Sequence, residues 1–214
     1  YVKASNTGSG DYFGTSVALS ADGNTMAVAA NWEASKATGI NGDQSDNSIP
    51  QSGAVYVFTR TGGTWRQQAY IKASNTGDTS TETSDGDQFG FSLAISDDGN
   101  TLAVGAIGED SNANGINSNQ EDNSTVGSGA VYVFTRSGAT WSQQAYIKSD
   151  ADKAYSQGDL FGFSVSLSAN GSTLAAGAYD EGGSSRGING PVDNMRGGSR
   201  SEEHTSELQS RFGI

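Results

Sequence analysis

Gly53-Ala54-Val55-Tyr56-Val57-Phe58-Thr59-Arg60 returns unchanged as Gly129-Ala130-Val131-Tyr132-Val133-Phe134-Thr135-Arg136, 76 residues further on. Both alternating sets of side chains in this block are apolar, so the strand it predicts needs burial on both faces. An identity of this length at a fixed offset marks an internal repeat, and its period sets the size of the structural unit. Working outward, Tyr70-Ile71-Lys72-Ala73-Ser74 echoes Tyr1-Val2-Lys3-Ala4-Ser5 and Tyr146-Ile147-Lys148-Ser149. Gly10-Asp11-Tyr12-Phe13-Gly14 returns as Gly86-Asp87-Gln88-Phe89-Gly90 and as Gly158-Asp159-Leu160-Phe161-Gly162.

Each unit resolves into four strands. In the second copy they are predicted at Phe89–Ser96, Thr101–Gly108, Gly129–Arg136 and Thr140–Lys148. Asp97-Asp98-Gly99-Asn100 between the first two is a tight-turn signature, and Ser137-Gly138-Ala139 is short enough for a second hairpin. A polar loop from Glu109 to Ser128 joins the middle pair. Ser92-Leu93-Ala94-Ile95 and Ser164-Val165-Ser166-Leu167 put small residues on one face and larger ones on the other. Sheets that converge on an axis need that combination. The fold class expected is all-β: an incomplete β-propeller of four-stranded antiparallel blades, with about two and a half blades present.

The organisation follows from the repeat. Residues 1–7 read as the last strand of a preceding blade, 11–74 and 87–149 as blades, and 159–199 as a partial blade. Arg200-Ser201-Glu202-Glu203-His204-Thr205-Ser206-Glu207-Leu208-Gln209-Ser210 breaks the pattern and resembles an in-frame translation of a sequencing adapter. Residues 200–214 are therefore read as a non-native tail that contributes nothing to the fold.

Phe89-Gly90 opening one strand and Gly105-Ala106 closing the next resemble the FG-GAP repeat of integrin α-subunit propellers, as do Phe161-Gly162 and Gly177-Ala178. The first copy keeps Phe13-Gly14 but has Ala29-Ala30 at the second position, and Asn31, Ile107 and Tyr179 replace the family's proline. The resemblance covers residues 1 to 194 or so. It implies a propeller of about seven blades, extracellular or at the cell surface, which presents loops to a protein or carbohydrate ligand in adhesion-type binding. The remaining blades would come from the full-length chain. Ser-x-Asp-Gly-Asn-Thr also resembles WD40-type blades, although the repeat is far longer than the ~40–45 residues of that family. An intracellular scaffold and an accessory propeller of a larger secreted enzyme are the alternative readings.

Composition narrows the function classes. With 24 acidic against 12 basic residues the net charge is −12, which disfavours nucleic acid and anionic membrane surfaces. No apolar run approaches the ~20 residues that span a bilayer as a helix. Cysteine is absent, and the only histidine, His204, lies in the adapter-like tail. The usual nucleophile–base pairs cannot be assembled, so no enzyme activity is expected.

The sites of interest are in the loops. The family's calcium loop, which resembles Asp-x-Asp/Asn-x-Asp-Gly, has shrunk here to Ala21-Asp22-Gly23-Asn24, Asp97-Asp98-Gly99-Asn100 and Ala169-Asn170-Gly171-Ser172. So short a turn cannot supply 6–8 oxygens and reads as a plain hairpin. The long loops carry a second candidate for Ca²⁺. Glu33, Asn41 and Asp46 recur as Glu109, Asn117 and Asp122, and again as Glu181, Asn189 and Asp193. Hard oxygen donors repeated in this way suit calcium, and bound calcium would then raise the melting temperature. The other reading is that these residues close the loop through Asx turns while Ile40, Ile116 and Ile188 pin it to the blade. Asp11, Asp87 and Asp159 read as caps of the blade-to-blade turn, and Trp65 and Trp141 as packing residues.

Overall fold

In a computed structural model, the protein is described over residues 1–77, 86–149 and 158–180, with the backbone of 210–211. All regular structure among the described residues is β. The first sheet runs β1 (Val17–Leu19), β2 (Thr25–Ala30), β3 (Ala54–Thr61) and β4 (Thr64–Ile71), in that spatial order and antiparallel throughout. The second contains β5 (Phe89–Ile95), β6 (Thr101–Ala106), β7 (Gly115–Ile116), β8 (Ala130–Ser137) and β9 (Thr140–Lys148), ordered β5-β6-β8-β9-β7. The third contains β10 (Phe161–Leu167), β11 (Thr173–Ala178) and β12 (Ser210–Arg211).

The two full sheets share the same strand register. Val57/Phe58 and Val133/Phe134 carry the same irregularity opposite β4 and β9. β7 is the element that the four-strand reading lacks. Gly115 and Ile116 pair with Lys148 and Ile147 on the outer edge, and Ile40 bridges Ile71 at the same place in the first sheet. An outer strand leaves a row of unpaired backbone groups, and the loop's Gly-Ile-Asn segment satisfies part of it. Ile40 packs against the core, whereas the Ile116 side chain is 49% exposed, so its pinning contact is made by backbone.

Residues 210–211 pair with Thr173 and Leu174, at the edge where a full blade has its third strand. The tail was expected to take no part in the sheet. A β11 edge without that strand offers open hydrogen-bonding groups that an extended dipeptide can use.

Successive sheets stack face to face with one polarity. Ala27, Ala29, Val55, Val57, Ala69 and Ile71 of the first sheet meet Phe89, Leu102, Val104, Tyr132, Phe134 and Tyr146 of the second. Ala103, Val131, Val133, Ala145 and Ile147 then meet Phe161, Leu174, Ala176 and Ala178 of the third. Each blade thus offers small and β-branched side chains on one face and larger ones on the other. Trp141 is buried in the first of these cores, while Trp65 is half-buried. The third core cluster, on the outer face of the first blade, includes Val2 and Ala4, although residues 1–7, expected as a strand, form no regular strand here.

Contact is close where the two halves of the repeat motif face each other. A Cβ on Gly105 would lie 2.1 Å from the carbonyl oxygen of Gly162, whose oxygen also accepts a 2.7 Å hydrogen bond from Ser92. The Phe-Gly of one blade therefore sits on the Gly-Ala of the blade before it. The hairpin tips join the same contact: Ala21 N donates to Asp97 O at 3.0 Å, and Asp97 N to Ala169 O at 2.8 Å.

Candidate loop site at the blade junction

The β1–β2 and β5–β6 turns are closed by their own side chains. Asp22 accepts from Ser20 Oγ (2.6 Å) and from Asn24 N (2.9 Å), and Asp98 does the same with Ser96 and Asn100. These hydrogen bonds, that from Ser20 foremost, hold the Asp22 carboxyl down at about 2. In the third copy Asn170 makes the same turn through its amide oxygen, with Ser168 and Ser172 as donors. Because an amide replaces the carboxylate without changing the turn, the geometry needs an acceptor and no metal ligand.

The long loops are held from below. Glu33 is fully buried: Oε1 accepts from Asn6 Nδ2 at 2.9 Å, and Oε2 from Lys72 Nζ at 2.8 Å and Ser35 N at 3.2 Å. Lys72 is itself buried and also donates to Ser52 Oγ at 2.7 Å. Ser52 Oγ in turn donates to the carbonyls of Glu33 and Ser35. The second blade repeats every part. Glu109 accepts from Lys148 Nζ, Asn75 Nδ2, Tyr146 Oη and Ser111 N, while Lys148 also donates to Ser128 Oγ.

Two links of this network reach a loop from outside its own blade. Asn75 follows β4 of the first blade and bonds to the loop glutamate of the second, and Asn6, which precedes the first sheet, bonds to Glu33 in the same way. Their amide oxygens accept from Tyr56 Oη and Tyr132 Oη, which stand on the strands beneath. Burial lowers the pKa of both lysines, against the glutamate that favours their charged form. Asp87 also lies at this junction, 2% exposed, with Oδ2 lacking a hydrogen-bond partner. Burial first, and then the Glu109 carboxylate, push its pKa well up. Its equivalent Asp11 caps the turn as expected, accepting from Gly8 N at 2.7 Å.

The other sequence-derived candidates hold the crown of the loop. Asn41 and Asn117 have positive φ, 56° and 55°, a conformation that asparagine tolerates better than most residues. Their side-chain oxygens accept from Tyr70 N and Tyr146 N at 2.9 Å. Asp46 accepts from Lys36 N, Ser48 N and Ser48 Oγ, and Asp122 from Asn112 N, Ser124 N and Ser124 Oγ. These bonds, led by the Asn112 amide, bring the Asp122 carboxyl down to about 2. Glu181, Asn189 and Asp193 lie outside the described residues.

As placed, this donor set does not fit a hard divalent cation. The glutamates face an ammonium group, the aspartates serve backbone N–H groups of the same loop, and the asparagine oxygens are taken by strand amides. Among the described residues no three His, Cys, Asp or Glu side chains group so that they could hold a metal. The lysine, serine and asparagine members escaped the sequence reading, although Lys3/Lys72/Lys148, Asn6/Asn75 and Ser52/Ser128 recur in step with the repeat. That recurrence was the available signal.

The family model for the FG-GAP repeat matches residues 2–58 and 65–134. No curated protein matches the chain in sequence. Among solved structures, one from Bacteroides uniformis, provisionally described as a 6-phosphogluconolactonase, aligns over 94% of this chain and 72% of its own. Its identity is 14% and the TM-score 0.31, too low to bear on fold or activity.

Proposed function

The chain belongs to the FG-GAP repeat family, and from that premise we propose that it is a non-catalytic interaction module of a secreted or surface-exposed protein. Its long loops bind a protein or carbohydrate ligand in adhesion-type contacts. The observation that supports this reading is the division of the two described long loops into a buried foot and an exposed crown. Glu109, Ser111 and Ser128 are buried, while Asn112, Asn119, Glu121, Asn123 and Ser124 face solvent. Glu33, Ser35 and Ser52 underlie Asp43, Ser45, Asn47 and Ser48 in the same way. A loop ordered from beneath loses less conformational entropy when its crown meets a partner.

The test is a panel of immobilised matrix proteins and glycans, probed with the wild type and with a crown variant, Asn112→Ala with Glu121→Ala and Asn123→Ala. A ligand retained by the wild type is expected to bind at least about tenfold more weakly to the variant, a loss of ~1.4 kcal/mol, at an unchanged melting temperature. Binding that survives crown replacement contradicts the assignment.

A further inference from the structure

We propose that the ε-ammonium groups of Lys72 and Lys148 stand where a loop cation would, so that the long loops are ordered without metal. Three observations converge. Each ammonium sits on a fully buried glutamate and on the hydroxyl of a buried serine, Ser52 or Ser128, that is itself tied to two loop carbonyls. The arrangement occurs twice, with corresponding partners 39 and 20 residues apart in each copy. A buried carboxylate in a loop of an acidic chain requires a compensating positive charge, and the lysine supplies it from the last strand of the same blade.

The inference goes beyond the binding assignment and stands on the feet of the loops alone, whatever their crowns bind. A built-in cation makes the loops indifferent to calcium. A calcium site at a hundredfold excess over its Kd would stabilise the fold by about 2.7 kcal/mol, or roughly 5–10 °C in a domain of this size.

The experiment compares melting of the wild-type protein in millimolar calcium and in chelator, with calorimetric titration of calcium alone. The expected result is one melting temperature and no saturable heat. A rise of several degrees with calcium, or loss of folded signal in chelator, overturns the proposal. A second arm uses Lys148→Gln, which removes the ammonium and leaves Glu109, Asp87 and Ser128 around the vacated position. This variant is expected to melt lower in chelator and to recover part of the loss in calcium. If calcium does nothing for it, the position is no cation site and the proposed equivalence fails.

Discussion

Replacing Lys148 by methionine is expected to lower the stability of the fold by about 3–5 kcal/mol, the cost of leaving one member of a buried ion pair without its partner. The methionine side chain fills most of the lysine's volume, so the loss reads charge rather than a cavity. Glu109 would keep Asn75, Tyr146 and Ser111 as donors, but none of them carries a positive charge. For a domain of this length the change corresponds to roughly 10 °C in melting temperature. Adding Glu109→Gln to Lys148→Met is expected to restore much of the loss, because the amide is neutral and its one oxygen still accepts from either Ser111 N or Tyr146 Oη. Urea unfolding of the single and double variants measures both terms. A single variant within about 1 kcal/mol of wild type would mean that water reaches the pair and screens it.

The second large effect is steric. Gly105→Val places a β-branched side chain where even a Cβ would meet the Gly162 carbonyl oxygen at 2.1 Å and Ser92 Oγ at 2.4 Å. The obstacle is the backbone of the neighbouring blade, so no rotamer relieves it and the blades have to separate. The expected loss is about 4 kcal/mol or more, above the usual 1–3 kcal/mol of overpacking, because the Ser92–Gly162 bond is lost as well. The first blade junction carries Ala29 at the position of Gly105, and there a Cβ on the facing Gly90 would come within 2.9 Å of the Ala29 methyl. Thermal unfolding monitored at Trp141, buried in the adjacent core, reports the separation. Unchanged melting of Gly105→Val would show that the blades are not packed in this way.

The strands were legible because the sequence repeats them. Ala130–Ser137 and Thr140–Lys148 lie within a residue of their expected limits, and the Asp-Gly-Asn turns fall where their composition places them. The small-against-large alternation pointed to sheets packed face to face, and the second sheet packs on both of its faces. β7 was not legible, since two residues of a polar loop carry no periodic signal. The loop site was half legible. Glu33 and Glu109 stand out by recurring in polar loops, but their partners lie 39 residues away on a strand whose alternation conceals a buried lysine. Tyr-Ile-Lys reads as an ordinary strand end with its charge in solvent, and only the fold turns that charge inward. Asn6 and Asn75 were still less accessible, because each acts on the copy that follows its own.

Hydrogen exchange of the loop amides in chelator tests the central claim, that the loops are preformed from beneath, most directly. The amides of Ser35, Lys36, Ala37 and Ser48, and of Ser111, Asn112, Ala113 and Ser124, each donate to a side-chain oxygen within their own loop. The account predicts that they exchange slowly, at rates the same with and without calcium. Exchange at the rate of an unstructured chain in chelator, slowed only when calcium is added, would contradict it.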